Sequence, residues 1–201
     1  RKRSALMSSR LLFVICCCCL GGRASANQIV HVASTEGTAG ASGVDGPGCG
    51  PSVTPCATLA FAVQNRSSSS EATTFILAAG VHTLGSTVAT GGIPLPSQAH
   101  PVTISGASIG GDEGLSQTTV DCGSARRAFD VGPGTERIVI ANLTLAHCSA
   151  PVGQYGGAVR TSSVSTTISN VRFVGNRAGI GGAVAVMGGS LNIEGCLFNG
   201  N

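Results

Sequence analysis

The chain has 201 residues, of which only 10% are charged and 3% aromatic, while glycine alone contributes 30. Its formal charge of +3 comes from the first 26 residues, because residues 27–201 hold seven arginines, no lysine and nine acids, a difference of −2. That balance excludes an extended basic face, so nucleic acid is not an expected partner; only Arg126-Arg127 sets two cations side by side.

Residues 1–26 read as a signal peptide, with Met7 as the true start. Met7-Ser8-Ser9-Arg10 forms a basic n-region, Leu11 to Leu20 an apolar run, and Ala24-Ser25-Ala26 a small-residue cleavage site. A run of about ten residues is too short to cross a bilayer, which takes about twenty. Cys16-Cys17-Cys18-Cys19 lie inside it and read as small apolar residues.

Residues 27–72 read as an N-terminal cap. A short strand, Ile29-Val30-His31-Val32, comes first. Cys49 and Cys56 flank a Pro-rich loop that brings them close, so secretion predicts a disulfide between them. Thr54-Pro55 followed by Cys56 to Val63 reads as a helix, with Thr54 as N-cap and Pro55 at the first helical position. Leu59, Ala62 and Val63 share one face and are expected to plug the open end of the strands that follow. Asn65-Arg66-Ser67 is a glycosylation sequon, with Asn65 the acceptor, and Ser67 to Ser70 form a linker.

From residue 73 onward the pattern is β. Strands are predicted at Thr73–Ala78, Pro101–Ser105, Thr118–Cys122, Ala128–Val131 and Ile138–Ile140, with Gly85 to His100 as an excursion between them. Cys122 and Cys148 lie in neighbouring repeats and pair if these stack. Cys196 has no evident partner and falls where Leu143 and Val171 sit in the other copies.

The chain closes on one cassette written three times. Its copies are Ile138-Val139-Ile140-Ala141-Asn142-Leu143-Thr144-Leu145, Thr166-Thr167-Ile168-Ser169-Asn170-Val171-Arg172-Phe173 and Leu191-Asn192-Ile193-Glu194-Gly195-Cys196-Leu197-Phe198. Gly156-Gly157-Ala158-Val159 recurs between them as Gly181-Gly182-Ala183-Val184, and a period in the twenties marks stacked repeats. Each cassette alternates and then breaks phase at Asn142, Asn170 or Gly195, residue types that enter the left-handed region readily. Strand, bend, strand and Gly-rich turn make one coil of a parallel β-helix. Stacking puts Ile140, Ile168 and Ile193 in one inward row and Leu145, Phe173 and Phe198 in another. It also sets Asn142 over Asn170 as an amide ladder.

Phe173-Val174-Gly175-Asn176 and Gly181-Gly182-Ala183-Val184 resemble the Phe-x-x-Asn and Gly-Gly-Ala-aliphatic repeats of chlamydial polymorphic outer-membrane proteins. More broadly the pattern resembles right-handed parallel β-helix proteins of the pectin-lyase-like type. Phe198-Asn199-Gly200-Asn201 starts another copy, whereas the first cassette departs from the pattern with Leu145 and Cys148. The resemblance implies an all-β, right-handed parallel β-helix solenoid over residues 73–201, truncated at the C-terminus, with a short N-terminal capping helix. It also implies a secreted or cell-surface, adhesin-like or structural protein. Expected partners are extracellular glycans or cell-surface proteins, with membrane attachment only through a missing C-terminal region.

The rival implied by the same resemblance is a polysaccharide lyase or glycoside hydrolase with catalytic coils beyond the fragment; a third reading is a structural wall or matrix component. Acids in the repeats are few: Asp112, Glu113, Asp121, Asp130, Glu136 and Glu194. Asp112-Glu113 falls in a Gly-rich turn and reads as solvated. Asp121 and Asp130, with Arg160 or Arg172, make the one Asp-Asp-Arg patch to consider, but without a second Asp row, a nearby His or an aromatic platform. His82, His100 and His147 lack metal-ligand spacing. No catalytic, cofactor or metal residue is assigned, and no cofactor is expected.

Overall fold

A computed structural model describes residues 27–34, 43–46, 48–52, 54–66, 71–86, 88–95, 100–107 and 117–201. Residues 1–26, expected to be a signal peptide, the expected Ser67–Ser70 linker and Asp112-Glu113 lie outside the described residues. The described chain is predominantly β and its strands pair in parallel. Sheet A runs β1 (Gln28–Val32), β2 (Thr73–Leu77), β5 (Val102–Gly106), β8 (Arg137–Ala146), β10 (Ser165–Val174) and β12 (Ser190–Glu194). In the same sheet β3 (Gly80–Thr83) pairs with β6 (Thr118–Asp121), β6 with the later half of β8, and β13 (Leu197–Asn199) with β10. Sheet B holds β4 (Ile93–Leu95), β7 (Phe129–Val131), β9 (Val159–Thr161) and β11 (Val184–Val186).

Register turns the sequence repeats into rows. Val30, Phe75, Ile104, Ile140, Ile168 and Ile193 align across six strands, and the first five are buried. Side chains of this size stabilise by roughly 1.5–3 kcal/mol each when fully buried. Ile193 holds its register but is 40% exposed, against the expectation of an inward burial, because no described strand stacks on its far side. A second row runs His82, Val120, Leu145, Phe173 and Phe198, and the last two rings stack with centroids 4.7 Å apart.

The phase breaks are left-handed bends. Asn142, Asn170 and Gly195 have φ of 54°, 53° and 59°. Asn170 Nδ2 donates to Asn142 Oδ1 at 3.3 Å, and Asn142 Nδ2 donates to Ser105 Oγ at 3.4 Å. The bends at Asn142 and Asn170 therefore let one strand switch partners midway while their amides tie neighbouring repeats.

The other two motifs have physical reasons as well. Asn176 is fully buried; its Oδ1 accepts from Cys148 N at 2.9 Å, and its Nδ2 donates to Leu145 O at 3.1 Å. Asn201 repeats the arrangement one unit on, accepting from Asn176 N at 3.0 Å and donating to Phe173 O at 3.0 Å. Thus the Asn of Phe-x-x-Asn satisfies the backbone of the preceding repeat. In the Gly-Gly-Ala-Val turns, a Cβ on Gly157 would run into Gly182 O, so the stacked turns approach too closely for any larger residue.

Three readings need correction. The helix α1 is Leu59–Arg66, and its N-cap is Thr58, whose Oγ1 accepts from Phe61 N at 3.2 Å, not Thr54. Pro55 is not in the helix, because Cys56 is held as a β-bridge to Val32 and bonded to Cys49. Asp45 further fixes the start by accepting from Thr58 N and Oγ1 at 2.9 and 2.7 Å. Finally, Gly85–His100 is not merely an excursion: it carries β4, whose Ile93 and Leu95 are buried in the core. A three-residue strand containing Pro94 gives too little alternation to stand out. Helix α1 packs on β1, β2 and β4 through Leu59, Ala62 and Val63.

Candidate functional site

The acids that the sequence offered for chemistry are separated by the fold. Asp121 ends β6 in sheet A, whereas Asp130 lies in β7 of sheet B. Asp121 Oδ1 accepts from Gly123 N at 2.8 Å, and its Oδ2 lies 3.1 Å from His147 Nδ1. A histidine does therefore stand beside this acid, contrary to the sequence reading. The residues that follow each, Cys122 and Cys148, form a disulfide that pins the pair in place.

Asp130 is held differently. Arg160 donates to both its oxygens, from Nε at 2.7 Å and Nη2 at 2.6 Å, and this bonding raises the Arg160 pKa. Arg127 approaches the same carboxylate at 3.9 Å while only 1% exposed. Burial lowers the Arg127 pKa and Asp130 opposes the shift. Its guanidinium donates to the carbonyls of Gly156, Gly91 and Tyr155 at 2.8, 2.8 and 2.7 Å. Arg126 donates to Gly85 O, and to Val88 O at 2.7 Å. The two adjacent arginines are thus clasps on the 85–91 stretch and not a basic face. Arg172 sits in sheet A, in register with Thr144 and Leu197, apart from Asp130. The Asp-Asp-Arg patch is not assembled.

The remaining feature is the outward face of sheet A. One row reads Ile29, Thr74, Thr103, Val139, Thr167 and Asn192; the next reads His31, Ile76, Ser105, Ala141, Ser169 and Glu194. From β2 to β10 both rows are partly exposed and carry no charge. Parallel pairing spaces them about 4.8 Å apart, so methyls and hydroxyls repeat at a regular interval.

The other sequence-derived sites scatter. Cys49 and Cys56 are bonded beside β1 and α1, far in sequence from the Cys122–Cys148 bond. Asn65 is exposed in the last turn of α1. Cys196 is a free, partly buried thiol whose Sγ lies 3.3 Å from Glu194 O. Among the described residues no three His, Cys, Asp or Glu side chains converge as metal ligands. Reading by residue type alone missed Asn176, Arg127 and His82; the repeated Phe-x-x-Asn spacing was the signal for the first. No protein-family model, curated protein or solved structure matches the chain.

Proposed function

We propose that the chain is a right-handed parallel β-helix of the secreted or cell-surface kind, acting as a non-catalytic, adhesin-like or structural module. The observation that carries this reading is the pair of uncharged, regularly spaced rows of mostly Thr, Ser, Val and Ala on sheet A from β2 to β10. A rigid sheet presents such a face without ordering cost, so weak contacts add along its length. Two disulfides fit an oxidising compartment. Extracellular glycans or cell-surface proteins are the partners proposed, and exposed Asn65 is the proposed glycosylation site.

The test is an assay of the secreted protein on polygalacturonate and related acidic glycans, with and without calcium, following unsaturated products and reducing ends. The expected result is no turnover together with saturable attachment to cells or matrix. Turnover that Asp121→Ala or Asp130→Ala abolishes overturns the proposal in favour of a carbohydrate-active enzyme.

A further inference from the structure

From β2 to β10 the first outward row of sheet A reads Thr74, Thr103, Val139 and Thr167, and the second Ile76, Ser105, Ala141 and Ser169. The strands pair one to one over both rows, with no residue skipped. All eight side chains are partly exposed, and none is charged or aromatic. The hydroxyls of Thr103, Thr167 and Ser169 have no hydrogen-bond partner among the described residues, so each keeps one donor and two acceptor sites for water. Stacking sets a step of about 4.8 Å along each row, and the rows lie about 6.6 Å apart, two residues of a parallel strand. Every step of the first row carries a methyl. Water over those methyls bonds only to other water, while the free hydroxyls fix some molecules at the same step. The step is close to the spacing of equivalent oxygens in hexagonal ice, so a water layer held at it continues into that lattice.

We infer that these two rows bind the surface of ice, through methyls and hydroxyls that repeat in step with its water molecules. The inference rests on the reading of the rows as a contact surface and adds a second ligand to the partners proposed above. Each contact is weak, but a crystal engages every step at once, and the paired strands are already ordered before it binds. The lack of charge supports the class, since an ion would orient a hydration shell of its own in place of the lattice.

The experiment grows a single ice crystal in a solution of the disulfide-intact full chain and reads its shape and the gap between melting and freezing points. The parent should facet the crystal and open a gap that widens with protein concentration. Thr103→Arg with Thr167→Arg should abolish both effects. Ser169→Tyr, which lifts a ring above the second row without adding charge, should do the same. Val152→Arg, which adds a cation at a fully exposed loop position, should retain both. Round crystals and no gap with the parent overturn the inference. So do effects that survive in both row variants at parental stability, or that Val152→Arg also abolishes. Attachment to cells or matrix, measured above the melting point of ice, separates the two readings. Attachment without any effect on ice removes this inference alone, whereas loss of both removes the contact surface itself.

Discussion

Asn176 shows how much a single side chain does at the residue scale. Every polar atom of its amide is engaged with the backbone of the preceding repeat or with Asn201. Asn176→Ala removes these bonds and leaves the buried Cys148 N without this acceptor. The expected loss is about 2–4 kcal/mol in urea unfolding, and a loss below about 0.5 kcal/mol would refute the role given to it. His82 makes a pH prediction. Its folded pKa is lowered from 6.5 by burial, so the unfolded chain takes up the proton first as pH falls. Stability from this residue is complete above about pH 6.5 and declines below it, down to the folded pKa. His82→Leu should therefore lose less stability between pH 7.5 and pH 5 than the parent, measured as the shift in urea midpoint. An identical shift in both would show that the ring is not buried neutral.

At the element scale, the cassettes made the long strands legible because alternation and left-handed residue types coincide at Asn142 and Asn170. The helix was legible by its apolar face but not by its start, since Thr54 and Thr58 both look like caps and a disulfide partner decides between them. Strand β4 was hidden because its three residues depend on Arg127 and on pairing with β7, contacts far along the chain. Thr58→Ala should cost about 1 kcal/mol, whereas Thr54→Ala should cost a few tenths, by thermal unfolding. Equal effects would restore Thr54 as the cap. Ile168→Asp places an unpaired carboxylate between Ile140 and Ile193 and should abolish cooperative unfolding in circular dichroism.

For the whole molecule, Asp121, Asp130, Arg126, Arg127 and Arg160 serve as local ties, and two outward rows of sheet A carry no charge from β2 to β10. Legibility was lowest here. Asp121 looked like a potential neighbour of Asp130 and Arg160 in sequence, but only the last two meet, because assignment to a sheet depends on where each turn sends the chain. The central claim is that this face makes the contact with the protein's partner. It is tested most directly by measuring attachment of the disulfide-intact protein to cells or matrix, beside the variant Thr103→Arg with Thr167→Arg. Both positions are partly exposed on the outward row, so stability should change by no more than about 0.5 kcal/mol per site. The account predicts that attachment falls at least about tenfold, as expected when a desolvated contact must accommodate unpaired charge. Attachment unchanged in a variant of parental stability would contradict it.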